Sequence, residues 1–150
     1  MLAVVQRVNK ASVEVEEKIV GKIEKGLFVL LGVYNDDTEA DAEILARKVA
    51  NLRIFTDEND KMNLSVKDVS GGILVVSNFT LCADTKKGNR PSFINAMAPE
   101  KANELYELFM AKLKEENIVV ESGEFGAEMY ISTVLSGPIT IELNSNMWRK

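Results

Sequence analysis

The segment Ser77 to Leu81 places two hydroxyls and an amide directly after the apolar run Ile73 to Val76. Polar side chains at the end of a buried strand are suited to binding or catalysis, because a rigid element positions them. If the strand continues through the segment, Asn78 and Thr80 share one face, since side chains alternate along a strand. Thr80 as a nucleophile would need a base close by. The structural interpretation is that these hydroxyls only satisfy backbone groups at a strand end.

The composition limits which chemistry this segment can perform. The chain has 150 residues, no histidine and one cysteine, Cys82. Ser-His-Asp and Cys-His mechanisms are therefore excluded, as are His-containing zinc sites and thiolate clusters. Cys82 is interpreted as a small hydrophobe, because no nearby group in the sequence would activate its thiol. The acidic run from Asp36 to Glu43 is typical of a helix start rather than a metal site, so we expect no metal and no cofactor.

The densest basic stretch lies within the segment Asp84 to Phe93. Lys86, Lys87 and Arg90 could contact phosphates, and Phe93 could stack on a nucleic-acid base. A solvated surface loop is the alternative interpretation, which the residue types alone favour. The net charge of −5 counts against a protein that coats nucleic acid, because such proteins usually carry a basic surface.

The dipeptide Gly137-Pro138 interrupts a stretch that otherwise has strand composition, from Met129 to Leu143. Proline donates no backbone hydrogen bond and glycine weakens a strand interior, so the pair separates two predicted strands. A turn with a trans bond is the default interpretation, because cis bonds are a small minority of X-Pro bonds. The other interpretation is a rigid backbone device at a functional site.

The elements that must position these residues are several strands and two helices. Apolar residues at helical spacing predict the helices, from Asp37 to Arg53 and from Pro99 to Asn117. Because the strands occur in blocks, the pattern predicts one α+β domain over residues 1–150, with the helices packed on a mixed or antiparallel sheet. The strands are predicted at Ala3 to Val8, Ser12 to Glu16, Lys18 to Ile23, Gly26 to Val33, Ile73 to Val76 and Ile118 to Glu121, and on both sides of Gly137-Pro138.

Three features concern the location of the protein in the cell. No apolar run is long enough to span a membrane, and the residues after Met1 lack the pattern of a signal peptide. A single cysteine is typical of a reducing compartment. The sequence therefore predicts a cytoplasmic protein with no membrane partner.

Blocks along essentially the whole chain resemble those of the D-aminoacyl-tRNA deacylase family. Each block is weakly specific by itself, whereas the order and spacing of all of them within 150 residues are specific. The blocks are Ala3 to Val8, Ala11 to Val13, Gly26 to Val33, Lys48 to Phe55, Lys61 to Val66, Ser77 to Leu81, Ala83 to Phe93, Phe125 to Ala127 and Gly137 to Thr140.

The resemblance implies a homodimer of β-barrel-like α+β subunits with active sites at the dimer interface. The implied reaction is hydrolysis of the ester that joins a D-amino acid, or glycine mischarged on alanine tRNA, to the 3′-terminal ribose. Its tetrahedral oxyanion needs hydrogen-bond donors, which in this family are the backbone N–H groups matching Phe79 and Thr80. Ser77 and Asn78 match residues that line the adenosine and ester pocket. The implied partners are the 3′ end of aminoacyl-tRNA and a second copy of the chain, and not DNA.

The resemblance also assigns Gly137 and Pro138 to a chirality filter. In the family this bond is cis and enters the pocket of the other subunit, where backbone carbonyls admit a D-aminoacyl group and exclude an L side chain. Arg7 resembles the residue that braces this loop. The ribose 2′-hydroxyl of the substrate is expected to assist catalysis, and the competing view makes Thr80 the nucleophile. The absence of histidine favours the first view.

Two positions depart from the family pattern. Asn78 stands where glutamine is usual, and Leu135-Ser136 stands where Asn-Asp often precedes the Gly-Pro pair. The first change shortens a side chain of the pocket, and the second alters how the loop is held. Three alternatives stay open: a relative with trans Gly137-Pro138 that edits small L-amino acids, a non-enzymatic tRNA- or DNA-binding module, and a hydrolase of small esters with Thr80 as nucleophile.

Overall fold

A computed structural model describes residues 1–149. Within these residues there are eight strands, two α-helices and two short 3-10 helices. They are β1 (Leu2–Val15), β2 (Lys18–Ile23), β3 (Gly26–Gly32), α1 (Glu39–Ala50), β4 (Phe55–Thr56), β5 (Met62–Leu64), β6 (Gly72–Ser77), a 3-10 helix (Phe79–Cys82), α2 (Pro99–Glu115), β7 (Val119–Ser122), β8 (Tyr130–Asn144) and a second 3-10 helix (Ser145–Trp148). Among these residues no helix is both long and apolar enough to cross a membrane.

The long strand β1 organises the main sheet, because both of its edges are paired. β8 runs antiparallel along one edge, while β3 and then β2 pair with the other edge. β6 joins β3 in parallel and β7 joins β6 in parallel. The sheet almost closes where β2 packs on β7, since the carbonyl oxygen of Ser122 leaves no room for a Cβ on Gly21. This barrel-like mixed sheet with two main helices confirms the predicted fold class.

Alternating side chains of the central strands form two cores. Leu27, Val29, Ile73 and Val75 point to one side and pack with α1 and α2. The residues that alternate with these four along β3 and β6 point to the other side. Together with Val13 and other side chains of β1 and β2, they fill the interior of the barrel. Strands covered on both faces explain why β3 and β6 have continuous apolar sequences rather than alternating ones.

The prediction of two strands separated by a turn at Gly137-Pro138 was wrong. β8 continues through the dipeptide, and the chain does not reverse there. Gln6 pairs with Thr140 and Val8 pairs with Leu135, so residues 136–139 bulge outward opposite Arg7. Proline is tolerated at such a bulge because no ladder hydrogen bond is required from it. The two strands predicted near the N-terminus are likewise a single strand, β1, with register shifts around Val8.

Candidate active site

The polar segment after β6 folds into a tight turn. β6 ends at Ser77, and the backbone N–H of Asn78 donates to the carbonyl of Leu31 on β3 over 2.8 Å. Phe79–Cys82 then forms a 3-10 helix, in which the N–H of Leu81 bonds back to the carbonyl of Asn78 over 3.3 Å. The expectation of alternating strand faces through this segment was wrong, because the strand ends at Ser77.

Two backbone donors at the start of this turn are free. The first residues of a helical turn have no acceptor within the turn. Within residues 1–149 the N–H groups of Phe79 and Thr80 donate to no other group. Two neighbouring free N–H groups can stabilise an oxyanion that develops beside them. These two N–H groups are therefore available to a ligand at the turn.

The Thr80 hydroxyl is already engaged. It donates a hydrogen bond to the side-chain oxygen Oδ1 of Asn78. An amide oxygen is a poor base, and a nucleophilic threonine needs a base to accept its proton. The hydrogen bond brings Asn78 and Thr80 together. The sequence analysis expected the alternation of a strand to do this, but a 3-10 turn does it instead.

A cavity of about 690 Å³ opens beside the turn. Its walls are mainly apolar, and Phe79 packs edge-to-face on Phe93 with ring centroids 5.0 Å apart. The segment containing Phe93 is fixed to the end of β3, because the N–H of Met97 donates to the carbonyl of Val33 over 3.0 Å. The lining includes Leu30, Val76, Ser77, Asn78, Phe79, Phe93, Met97, Phe125, Gly126, Ala127, Met129 and Ile131.

Gly137 and Pro138 lie elsewhere on the same chain. Both are exposed on the β8 bulge, and neither lines the cavity beside the Phe79 turn. The Gly137-Pro138 peptide bond is cis. Gly137 has a φ of +121°, and a Cβ there would lie 2.8 Å from a side-chain carbon of Ile139, so any other residue would be strained.

Arg7 holds the bulge from the facing strand. Its Nε donates to the carbonyl of Ser136 over 3.3 Å, and one guanidinium nitrogen donates to the carbonyl of Ile54 over 2.9 Å. A planar guanidinium that bonds two backbone segments restricts both of them. Arg7 is thus placed to fix the backbone immediately before Gly137.

The basic residues Lys86, Lys87 and Arg90 are exposed on a hairpin loop. Two backbone hydrogen bonds of 2.8 and 2.9 Å between Asp84 and Ser92 close the loop. The loop leads directly into Phe93, which lines the cavity.

Cys82 is buried under the turn. Its thiol donates to the carbonyl of Val33 over 3.5 Å. Burial raises the pKa of Cys82 to about 11, and the charge of Asp37 adds to the shift. A thiol in this state is protonated at neutral pH and is a weak nucleophile, which agrees with its interpretation as a small hydrophobe.

The acidic residues before and within α1 form ion pairs with Arg149. The guanidinium contacts Asp36, Asp37 and Asp41 at 2.8, 2.8 and 2.9 Å. Burial acts to raise the pKa of Asp41, but hydrogen bonds from Arg149, Ser145 and the Thr38 backbone hold it well below its usual range. Burial raises the pKa of Asp37 despite its hydrogen bonds. Among residues 1–149 no group of three or more acidic or Cys side chains is arranged to hold a metal.

The sequence analysis gave no role to much of the cavity wall. Met97, Met129 and Ile131 come from three separate segments, and no local pattern links them. Phe125 to Ala127 had been noted only as a matching block. That match was the one signal in the sequence that pointed to this part of the wall.

A barrel-like α+β fold without histidine, with a mainly apolar cavity lined by Ser77, Asn78 and Phe79, defines a class of proteins suited to bind a ligand. The family model described as D-Tyr-tRNA(Tyr) deacylase matches residues 4–144. The chain belongs to this family, as the resemblance of its sequence blocks indicated.

Curated relatives cover nearly the full chain. The D-aminoacyl-tRNA deacylase of Thermosipho melanesiensis is 56% identical over 146 residues, which are 97% of each chain. That of Pseudoalteromonas translucida is 54% identical over 143 residues, 95% of this chain and 99% of the relative.

Two solved structures have the same fold. One, named c-Myc DNA Unwinding Element Binding Protein, is 42% identical with a TM-score of 0.90 and covers 96% of this chain and 98% of its own. The other, described as a probable eukaryotic D-amino acid tRNA deacylase, has a TM-score of 0.80 over 95% of this chain and 98% of its own. At 18% identity, the second similarity concerns the fold alone.

Proposed function

We propose that this protein hydrolyses the ester between a D-amino acid and the 3′-terminal ribose of tRNA. The observation that carries the proposal is the apolar cavity lined by Ser77, Asn78 and Phe79, at a turn where the N–H groups of Phe79 and Thr80 donate to no other group of residues 1–149, in a chain that belongs to the D-Tyr-tRNA(Tyr) deacylase family. The names of the curated relatives support the same substrate class.

In the proposed mechanism the cavity binds the aminoacyl-adenosine end, with the ester carbonyl oxygen directed at the two N–H groups. Water attacks the carbonyl carbon, and the developing oxyanion is stabilised by these donors. The bond from the carbonyl carbon to the ribose 3′-oxygen then breaks, and that oxygen leaves with a proton as the 3′-hydroxyl. The neighbouring 2′-hydroxyl assists the proton transfers, because the Thr80 hydroxyl is bonded to Asn78 and has no base.

Gly137 and Pro138 are proposed to select the D-enantiomer from a second copy of the chain. Neither residue lines its own cavity, and both are exposed on a bulge that Arg7 braces. Backbone atoms beside the α-carbon would exclude an L side chain by contact, whereas a D-aminoacyl group or glycine would fit. Glycine mischarged on alanine tRNA is therefore a second expected substrate.

The proposed homodimer is supported by exposed apolar side chains near the bulge. Val134 and Leu135 are both 42% exposed, and Tyr130 is 63% exposed. Large apolar side chains exposed close together on one strand are typical of a surface that another protein covers. Lys86, Lys87 and Arg90 are proposed to contact phosphates of the bound tRNA, because they are exposed on the loop that leads to the cavity.

Binding of nucleic acid without catalysis is the second candidate function. The name of the structure that is 42% identical, c-Myc DNA Unwinding Element Binding Protein, favours it. The net charge of −5 counts against strong non-specific binding. A pure binding module predicts tight binding with a steep salt dependence and no ester turnover.

The direct test is incubation of the purified protein with D-tyrosyl-tRNA in the presence of EDTA, with release of free D-tyrosine as the readout. Hydrolysis above the buffer rate supports the deacylase. Binding of the aminoacyl-tRNA with no hydrolysis supports the binding module instead and contradicts the proposed function.

A further inference from the structure

We propose that the hairpin formed by β4 and β5 positions the bulge at Gly137 and Pro138, and that Arg53 is the positioning residue that holds this hairpin in place. The inference rests on the proposed function, because it concerns the selection of the D-enantiomer by the bulge. The hairpin and the bulge belong to two different sheets. The side chain of Arg7 connects them.

Arg7 reaches from β1 to both elements. Its Nε donates to the carbonyl of Ser136 over 3.3 Å. One terminal nitrogen donates to the carbonyl of Ile54 over 2.9 Å and to the hydroxyl of Thr56 over 3.5 Å. The other terminal nitrogen lies against Gly137, where a Cβ would be 3.3 Å from it. The shortest of these bonds goes to the hairpin, so the hairpin fixes the direction of the guanidinium.

The charge of Arg7 has no carboxylate partner. Among residues 1–149 no carboxylate oxygen lies within 4.0 Å of its guanidinium. A guanidinium presents its donors in a rigid plane, and its acceptors here are two carbonyls and a hydroxyl. The position of this plane therefore depends on where the two backbone segments place their carbonyls. A shift of the Ile54 carbonyl is passed to the backbone at Ser136.

The hairpin is fixed at its base and at its tip. At the base, Arg53 donates through Nε to the backbone carbonyl of Asn63 over 2.9 Å, and a second nitrogen donates to the Asn63 side-chain oxygen. At the tip, the Asp57 carboxylate accepts from the N–H groups of Asn59 and Lys61 over 2.8 and 3.0 Å. Bonds at both ends restrict the hairpin as a unit.

The acceptor of Arg7 lies directly beside this base. Ile54 follows Arg53 in the chain, and the side chains of Ile54 and Phe55 are buried in the larger core. The Ile54 carbonyl is thus held by core packing on one side and by the bonds of Arg53 on the other. Arg53 does not line the cavity, so it acts on a ligand there only indirectly.

The test measures the ratio of kcat/KM for D-tyrosyl-tRNA to that for L-tyrosyl-tRNA. Arg53→Met removes both bonds to Asn63, and we expect the ratio to fall about three- to tenfold, because hydrolysis of the L-ester increases. Arg47→Met is the matched control, since it removes the same charge from an exposed position on α1. The control should leave the ratio unchanged.

A milder pair of variants leaves the base of the hairpin intact. Thr56 is exposed, so its replacement does not disturb the core. Thr56→Val keeps the shape of the side chain and removes the hydroxyl that accepts from Arg7, and we expect the ratio to fall about twofold. Thr56→Ser retains the hydroxyl and should retain the ratio.

Hydrogen exchange tests the connection without any substrate. The measurement is the exchange rate of the backbone N–H groups of residues 134–141, read by mass spectrometry. We expect this segment to exchange roughly three times faster in Arg53→Met than in the unmutated protein or in Arg47→Met, because the bulge opens more easily.

The outcomes separate this inference from the proposed function. An unchanged ratio in Arg53→Met, with or without faster exchange, would overturn the role of the hairpin in selectivity. Equal losses on the D- and L-esters would show a general structural defect and overturn it as well, as would a ratio near one in the unmutated protein. If the unmutated protein hydrolyses neither ester, the proposed function fails, and the exchange rates still decide whether the hairpin holds the bulge.

Discussion

At Phe79 and Thr80 the main chain, rather than a side chain, supplies the donors that the proposed reaction needs. Backbone donors are independent of side-chain identity, so an asparagine at position 78 leaves them in place. The Asn78 side chain accepts the hydrogen bond of the Thr80 hydroxyl, within the turn.

Replacing Phe79 by proline removes one of the two donors with little change of backbone conformation. A 3-10 helix and proline have similar φ values, and Asn78 is extended, with φ −145° and ψ 91°, and so lies outside the helical region that proline disfavours in the residue before it. We expect Phe79→Pro to lower kcat for D-tyrosyl-tRNA about 100- to 1,000-fold relative to Phe79→Ala, which loses the ring but keeps the N–H. Similar rates for the two variants would show that this N–H does not stabilise the transition state.

Arg7 acts on the proposed filter through its hydrogen bond to the carbonyl of Ser136. Replacing Arg7 by methionine keeps much of the side-chain volume and removes the bracing donors. We expect hydrolysis of L-tyrosyl-tRNA to increase relative to the D-ester, because the backbone before Gly137 becomes less restricted. The measurement is the ratio of the two kcat/KM values in Arg7→Met and Arg7→Lys, and an unchanged ratio in both variants would exclude a bracing role.

At the scale of elements, the sequence predicted what depends on local pattern and missed what depends on distant pairing. β3 and β6 were predicted because their apolar residues are continuous, and α1 because of the helical spacing of its apolar residues. The bulge in β8 could not be predicted, because it is defined by the register with β1. The 3-10 helix Phe79–Cys82 was not predicted, because no proline or glycine in the sequence marks the end of β6.

The 3-10 helix Ser145–Trp148 is held on α1 by the ion pairs of Arg149. Asp37 and Asp41 are buried, while the Arg149 side chain is 34% exposed. We therefore expect Arg149→Ala to lower the free energy of unfolding by about 2 kcal/mol at pH 7. This loss is smaller than the loss from breaking a fully buried ion pair. As a control, Lys112→Ala removes an exposed pair with Glu115 and should cost no more than about 0.5 kcal/mol.

The pH dependence of this effect has a definite sign. The pKa of Asp41 and that of Asp36 are lowered in the folded protein, with Arg149 as a hydrogen-bond partner of both. Stability from such groups is present above the ordinary carboxyl value of 3.8 and is lost as the pH falls below it. In urea unfolding, the difference in free energy of unfolding between the unmutated protein and Arg149→Ala should therefore decrease below about pH 4. A difference that is constant from pH 7 to pH 3 would contradict this account of the ion pairs.

At the scale of the whole molecule, the cavity and the proposed filter occupy separate places on one chain. Gly137 and Pro138 can act on a ligand in the cavity only if another copy supplies them. A charge on the surface around the bulge should therefore affect both assembly and activity.

Leu135→Asp introduces a charge next to the bulge. We expect this variant to sediment as a monomer and to lose enantioselectivity, because the partner's Gly137 and Pro138 no longer reach the cavity. Met147 is 72% exposed outside the main sheet, so Met147→Asp is the matched control and should remain dimeric. If analytical ultracentrifugation shows a monomer for the unmutated protein at micromolar concentration, the proposed dimer is wrong.

The most direct measurement is the ratio of kcat/KM for D-tyrosyl-tRNA to that for L-tyrosyl-tRNA, with the same tRNA, in the presence of EDTA. Our account predicts efficient hydrolysis of the D-ester and a ratio of at least about 100, which corresponds to roughly 2.8 kcal/mol of discrimination against the L side chain. A ratio near one would keep the hydrolase and contradict selection by Gly137 and Pro138. Absence of hydrolysis of both esters would contradict the function itself.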